Sequence, residues 1–374
     1  MENTARKNDE MRTSGKTRGR ANKLVLDCGK LIRNYLKLSG YVGGRAVCVV
    51  KANAYGHGAV PVVRALYAAG ARLFAVANVR EGVAVKRALK GDASVFVLGY
   101  VSDGELKAAE KYALVVPVFS KESCELLIAS GRKLNCYIQI DTGMNRLGLN
   151  SENVAEIERV TRAINGRGGL TLKAVGSHLF AAENDETSLV QAKNFTRSTE
   201  NLSLPKSLCS SEAACKNLVE GEYVRLGICL YGYGSLASRL KLEKPLALYS
   251  RVVRIKRLLR GETAGYNAVF TAETDTFVGT VPLGYADGIM RSYLGASVFV
   301  RGRKCRIVAV CMDMIMIELP PSAKLFDEVI VFSEEGNLTS LAERAKTIVY
   351  ESLTALNVRG ERVTVNAPPT KKPR

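Results

Sequence analysis

Lys51 ends an apolar run, Ala46-Val47-Cys48-Val49-Val50, and opens a loop punctuated by glycine, Ala52-Asn53-Ala54-Tyr55-Gly56-His57-Gly58. Such a run is a buried strand, and side chains at the C-terminal end of a parallel strand face a ligand instead of the core. An amine with an ordinary pKa of about 10.4 works as a nucleophile or base only when burial or a neighbouring cation lowers that value. Other polar residues recur at the ends of apolar runs: Asp141 to Arg146, His178, Ser210 and Ser211, and Arg225 with Gly227. An arginine fork meets a carboxylate with two parallel hydrogen bonds. Serine hydroxyls and the backbone N–H groups around Gly227 and Ile228 suit a phosphate. The chain has only two histidines. His178 shares its face with Lys51 and falls within reach of Arg225, which points to function; His57 fits a structural or a functional role equally.

The elements that must position these groups follow from the apolar pattern. Runs at Ala46–Val50, Leu73–Ala77, Val95–Leu98, Leu114–Val118, Cys136–Ile140, Leu172–Gly176, Ser207–Ser210 and Tyr223–Leu226 read as eight strands. Helical spacing fills intervening segments such as Val60–Ala69, Glu81–Lys90, Lys121–Ser130 and Asn153–Asn165, followed by Gly70, Gly91, Gly131 and Gly166 as expected at helix C-termini. Alternating strands and helices predict a (β/α)8 TIM-type barrel with every polar group named above on its C-terminal face. A doubly wound sheet is the runner-up, but the dinucleotide glycine fingerprint is missing. Beyond Ala247 the pattern becomes strands and glycine turns at Ser250–Leu259, Thr276–Pro282, Ser297–Val300, Arg306–Met312 and Glu328–Phe332, with a hairpin at Gly302. The expected organisation is a basic tail over 1–21, a barrel over 22–246, a β-rich domain over 247–367 and a second basic tail over 368–374.

With 374 residues, 47% of them apolar, the chain can bury a full core. It has no apolar run of the roughly 18 residues that a membrane span needs, and no apolar N-terminal signal segment, so a cytoplasmic protein is expected. Nine cysteines without C-x-x-C pairs, most of them inside apolar runs (Cys48, Cys136, Cys229, Cys305, Cys311), read as reduced core thiols and imply neither a disulfide framework nor a metal site. Part of the net charge of +18 sits in the two tails, which read as disordered, solvated arms. They lack interleaved aromatics, so nucleic acid is not an expected partner.

Eight motifs in order resemble the pyridoxal-phosphate (PLP) dependent alanine racemases from about residue 22 onward. They are Val49–Gly58, Asp141-Thr-Gly-Met-Asn-Arg-Leu-Gly148, Ser177-His-Leu-Phe-Ala181, Arg225-Leu-Gly-Ile-Cys-Leu-Tyr-Gly232, Ala264-Gly-Tyr-Asn267, Gly284-Tyr-Ala-Asp-Gly288, Cys311-Met-Asp313 and Tyr350-Glu-Ser-Leu-Thr354. The resemblance implies interconversion of L- and D-alanine through an external aldimine, supplying D-alanine for peptidoglycan. Lys51 would carry PLP as a Schiff base, and Tyr55, Ser211 (or Ser210), Gly227, Ile228 and Tyr350 would hold its phosphate. Arg225 would face the pyridine nitrogen, and Arg146 with the backbone of Met312 would bind the substrate carboxylate. Lys51 and Tyr266 would be opposed bases, with a hydrogen-bond relay from tyrosine through His178 to Arg225. Tyr266 and Met312 would enter the site from the partner subunit of a head-to-tail homodimer, with Tyr285 at the entrance and Cys311 and Asp313 flanking Met312.

Departures from the family pattern bear on the same site. Gln139 stands where many relatives have a lysine that can be carbamylated; its amide would retain an acceptor for Arg146. Ala309 takes the place of a common arginine, Asn267 follows the catalytic tyrosine, and Ser210-Ser211-Glu212 replaces the commoner Asn-Ser-Ala. Competing readings are a serine or broader-range racemase, a PLP decarboxylase, a non-catalytic PLP carrier and a basic nucleic-acid-binding protein. Decarboxylases place a carboxylate where Arg225 stands, a carrier has no use for Tyr266 and Met312, and nucleic-acid binding leaves the strand-end residues unexplained.

Overall fold

The computed structural model describes residues 21–368 except 90, 182–183, 209 and 211–221. The described residues form two compact units, one within 26–246, 349–354 and 364–368, the other of 21–25, 247–348 and 355–363. Apart from Ala21 and Pro368, both tails lie outside the described residues. Among the described residues no helix is long and apolar enough to cross a membrane.

After β1 (Lys23–Asp27) and α1 (Cys28–Tyr41), the first unit is a (β/α)8 barrel. Its strands in chain order are β2 (Ala46–Val49), β3 (Leu73–Val76), β4 (Ser94–Val97), β5 (Val115–Val118), β6 (Leu134–Asp141), β8 (Leu170–Gly176), β9 (Lys206–Ser207) and β10 (Val224–Leu226), while the two-residue β7 (Leu149–Asn150) pairs beside β6. All eight pair in parallel in the order β10-β2-β3-β4-β5-β6-β8-β9. Closure rests on a parallel bridge between Ser210 and Arg225 and on the Tyr223 N–H donating to the Lys206 carbonyl at 3.1 Å. Every residue of β2 and β5 is buried, which is why those strands read as unbroken apolar runs without alternation.

The helices between them start on side-chain caps. Asn78, Ser120, Asn153 and Asn184 each accept the N–H three residues on and open α3 (Val79–Ala88), α5 (Lys121–Ala129), α6 (Val154–Asn165) and α7 (Asp185–Ser198); α2 (Ala59–Ala68) and α4 (Asp103–Lys111) complete the set that matters here. Gly70, Gly91 and Gly131 end their helices with positive φ, as expected, but Gly166 stays right-handed at φ −75° and closes α6 without a left-handed residue.

The second unit is built on a sheet of order β12-β15-β18-β17-β16-β19-β11-β1-β20. The expected strand Ser250–Leu259 is broken into β11 (Leu246–Arg251) and β12 (Arg254–Leu258), where the N–H of Val252 donates to Asp327, just ahead of the strand Glu328–Phe332, and that of Val253 to Thr280, in the strand Thr276–Val281. Four more elements are β15 (Thr276–Val281), β16 (Ser297–Val300), β17 (Arg303–Val310) and β19 (Glu328–Phe332), with Arg301 (φ 50°) and Gly302 (φ 75°) making the tight β16–β17 turn. Strands β1, β18 (Ile315–Glu318) and β20 (Glu361–Val365) were not expected from the pattern. Tyr266 sits in the loop between β13 (Thr263–Ala264) and β14 (Phe270–Thr271), whose Ala264 and Phe270 pack in a small core with Leu258, Ala272, Val278 and Val308.

Candidate active site

The chain leaves β2 and turns left-handed. Ala52, Asn53, Ala54 and Tyr55 have φ of 52°, 55°, 55° and 51°, a conformation that costs an L-residue roughly 1–2 kcal/mol each and rarely runs beyond one position. Hydrogen bonds hold it. Glu81 Oε1 accepts the Ala52 N–H at 2.8 Å while Oε2 accepts the Ala77 N–H at 2.8 Å, Asn53 Oδ1 accepts from Ala59 at 2.8 Å, and Gly58 donates to the Asn53 carbonyl at 2.9 Å. The outcome is that Lys51 and Tyr55 both line one cavity of about 970 Å³ at the C-terminal ends of the strands.

Gln139, Arg146, His178, Ser210, Arg225, Gly227, Ile228 and Tyr350 line the same cavity. Ser211 lies outside the described residues. Tyr350 arrives on a short helix, Val349–Thr354, that the chain returns to the barrel unit, with its ring 6.0 Å from that of Tyr55. Beside them, a Cβ on Gly227 would stand 3.1 Å from the Tyr55 hydroxyl, so glycine keeps the backbone there close to that hydroxyl. His57 does not line the cavity. It is buried, with Nδ1 2.8 Å from the Tyr55 carbonyl and its ring 4.3 Å from Tyr231, whose hydroxyl donates to the Val49 carbonyl at 3.1 Å. Its role is to back the turn.

Arg225 is held by carbonyls. Its Nη1 donates to Ser207 O and Oγ, both at 2.7 Å, and its Nη2 to Ser177 O at 2.6 Å, to Leu208 O at 3.2 Å and to Nδ1 of His178 at 3.4 Å. A guanidinium has no acceptor, so Nδ1 of His178 carries the lone pair and Nε2 carries the proton. Burial first, then the positive charges of Arg225, Arg146 and Lys51, push the His178 pKa down to about 3. The ring is neutral, with a donor at Nε2. Lys51 is also lowered, by burial and then by Arg146, against an opposing pull from Glu81.

Two cationic groups in the cavity lack protein partners. Neither Lys51 nor Arg146 makes a hydrogen bond or ion pair with any described residue. The amide nitrogen of Gln139 makes a long 3.5 Å contact to the Ile140 carbonyl, and no hydrogen bond joins Gln139 to Arg146. An unpaired amine, an unpaired guanidinium, a tyrosine hydroxyl against a glycine backbone and a neutral imidazole fit an aldehyde cofactor with a phosphate and a carboxylate substrate. Among the described residues there is no cluster of metal-ligating side chains.

The other unit presents Tyr266, 76% exposed, with Met312 half exposed and Tyr285 exposed as well. The Tyr266 loop is strained at Asn267 (φ 57°) and Ala268 (φ 51°), and Gly265 approaches Ala309 so closely that a Cβ there would lie 2.7 Å from the alanine methyl. That approach and the φ of 78° at Gly265 both require glycine at 265. The Met312 N–H has no partner among the described residues, while its carbonyl accepts from Ala286 at 3.0 Å. Arg359 ties this turn to the one bearing Tyr285. It donates to Asp313 at 2.7 Å and, through Nε and Nη2, to the buried Asp287 at 3.0 and 2.8 Å. Burial raises the Asp287 pKa, but the Arg359 side chain, the Arg359 N–H and the Gly284 N–H outweigh it and hold the carboxyl below its ordinary value. Cys311 precedes Met312 as a half-buried thiol.

Glu81, Tyr231, Ser207, Arg359 and Gln191 were not foreseen. Glu81 alone left a trace in the sequence, three residues after the helix-capping Asn78.

Residues 26–235 match the family model "Alanine racemase, N-terminal domain", and residues 246–364 match "Alanine racemase, C-terminal domain". Alanine racemase 1 of Bacillus subtilis is 32% identical over 363 residues, covering 90% of this chain and 91% of that protein. The alanine racemase of Streptococcus uberis is 32% identical over 343 residues, with 86% and 91% covered. Among solved structures, the alanine racemase from E. faecalis superposes with a TM-score of 0.86 at 28% identity, covering 92% of this chain and 98% of that one. The Bartonella henselae alanine racemase, solved with covalently bound pyridoxal phosphate, gives 0.85 at 26% identity, covering 92% and 99%. With both of its domains matched in order and the cavity furnished as described, the chain belongs to the alanine racemase family.

Proposed function

We propose that this protein interconverts L-alanine and D-alanine with PLP carried on Lys51, and that each site is completed by a second copy of the chain in a head-to-tail homodimer. Tyr55, Gly227, Ile228 and Tyr350 would hold the phosphate, with Ser210 or Ser211. When bound, PLP draws electrons from the Cα of the amino acid joined to it and so acidifies the Cα–H bond.

Racemisation requires a proton to leave one face of Cα and another to arrive at the opposite face. Lys51, with its pKa lowered, is suited to move the proton on its own face. Tyr266 would act on the other. A phenol needs help to work near neutrality, and the Nε2–H of a neutral His178 would donate to the phenolate oxygen and stabilise it. Arg225 fixes that tautomer through Nδ1. At the ring nitrogen Arg225 can only donate, and it does not readily surrender its proton, so it would leave that nitrogen unprotonated and favour rapid return of the proton to Cα. Arg146 and the free Met312 N–H would bind the carboxylate.

The observation that carries this reading is the unpaired Lys51 amine in one cavity with a His178 whose tautomer is set by Arg225. Product D-alanine would serve peptidoglycan synthesis in the cytoplasm. The decisive experiment adds PLP to the purified protein, traps the visible adduct with borohydride, maps the labelled peptide and assays a panel of amino acids on a chiral column. A label on Lys51 with alanine racemised fastest supports the reading; absence of bound cofactor defeats it.

A further inference from the structure

Gln191 lies on α7 and is 1% exposed. Its Nε2 donates to Thr142 Oγ1 at 2.9 Å and to the His178 carbonyl at 3.1 Å, and its Oε1 accepts the Phe180 N–H at 3.1 Å. The partners fix the amide orientation, since a backbone N–H only donates and a carbonyl only accepts. One turn earlier, the buried Ser188 donates to the Ala181 carbonyl at 3.2 Å, so two residues of one helix face hold the His178 loop.

Thr142 opens the loop that ends on Arg146. Its hydroxyl also lies 3.0 Å from Ser177 Oγ, and the Ser177 carbonyl accepts from Arg225. The loop beyond is internally braced, because Asp141 Oδ1 accepts the N–H groups of Gly143 at 2.9 Å and Asn145 at 3.1 Å. Arg146 bonds to no described residue, so its place is set by the backbone of this loop and by the anchor at its base.

We propose that Gln191 is a positioning residue that couples the Arg146 loop to the His178 loop and thereby sets the affinity of the site for a carboxylate. The proposal rests on the roles of Arg146 and His178 given above. An interaction made with the carboxylate both before and during reaction acts on KM more than on kcat.

The test compares wild-type holoenzyme with Gln191→Leu and Thr142→Val, measuring KM and kcat for L-alanine and, without turnover, titrating acetate as a carboxylate probe against the visible absorbance of the cofactor. KM should rise about tenfold and acetate affinity fall by about the same factor, with kcat changed less than about threefold. In an Arg146→Lys background neither substitution should add a further loss. A lowered melting temperature with unchanged KM and acetate affinity would overturn the proposal, as would effects that add fully to Arg146→Lys. Thr142→Val, nearly isosteric, decides the matter if Gln191→Leu does not fold. A wild-type holoenzyme that binds acetate but does not racemise alanine would defeat the proposed reaction while leaving the titration to judge Gln191.

Discussion

The guanidinium of Arg225 donates to Nδ1 of His178 at 3.4 Å, so a permanent cation assigns the tautomer of a neighbouring neutral ring. This relationship has a consequence for stability. The His178 pKa falls from 6.5 to about 3 on folding, so between those values the unfolded chain binds more protons and stability rises with pH. Above about pH 6.5 the folded protein suffers no such penalty. On acidification from 6.5 to 5, wild-type apoprotein should lose about 1.6 kcal/mol relative to His178→Asn, the slope for one proton rising from half to nearly all of about 1.4 kcal/mol per pH unit. Urea unfolding of both proteins at several pH values measures this, and parallel pH dependences would refute it.

Glu81 accepts the Ala52 N–H in the Lys51 turn and the Ala77 N–H just after β3. Glu81→Ala should destabilise the apoprotein by about 1–2 kcal/mol, the upper end being tempered by partial solvent access. It should also slow borohydride trapping at Lys51, because the left-handed run loses its main constraint. Normal trapping in a destabilised variant would show that the turn holds its shape without the carboxylate.

Gly227→Ala places a methyl 3.1 Å from the Tyr55 hydroxyl. The expected outcome is a roughly tenfold weaker affinity for PLP, about 1.4 kcal/mol, with little change in melting temperature. Adding Tyr55→Phe removes the clashing oxygen, so the double variant should bind PLP no worse than Tyr55→Phe alone. Fluorescence titration of the four proteins closes the cycle.

Arg225→Glu would set a carboxylate against the Ser177, Ser207 and Leu208 carbonyls that now receive the guanidinium. Such a protein should be less stable, and it should convert some alanine to pyruvate by side transamination, since a carboxylate partner favours a protonated ring nitrogen. Pyruvate assays against the wild type report on reaction choice; an unchanged product mixture would rule out that role for Arg225.

Shared sites predict complementation. Lys51→Ala and Tyr266→Phe chains, each inactive alone, should regain about a quarter of wild-type activity when unfolded together and refolded as an equal mixture, because half of the dimers are mixed and one of their two sites is intact. Activity that stays absent on mixing would mean that Lys51 and Tyr266 serve the same site from one chain.

The barrel and its strand-end chemistry were legible without coordinates because both are local signals. Unbroken apolar runs announce strands buried on two faces, and the residue after such a run falls on the functional face whatever the rest of the chain does. Lys51, His178, Arg146 and Arg225 were found in that way. Strands β1, β18 and β20 were missed because short or half-exposed strands are specified by their sheet neighbours and carry little pattern of their own.

Tertiary structure decided what depends on partners far apart in sequence. The left-handed turn at Ala52–Tyr55 is held because Glu81 accepts its Ala52 N–H and the Asn53 side chain ties it to the Ala59 N–H at the start of α2, and no propensity favours it in advance. Tyr350 reaches Tyr55 only because the chain returns to the barrel unit after the β-rich segment. The missing Gln139–Arg146 bond and the three-way grip of Gln191 are likewise matters of a few ångströms between distant residues. Residue types named the chemistry, whereas hydrogen-bond geometry, which linear order does not encode, determined which groups are held, which are free and which tautomer His178 adopts.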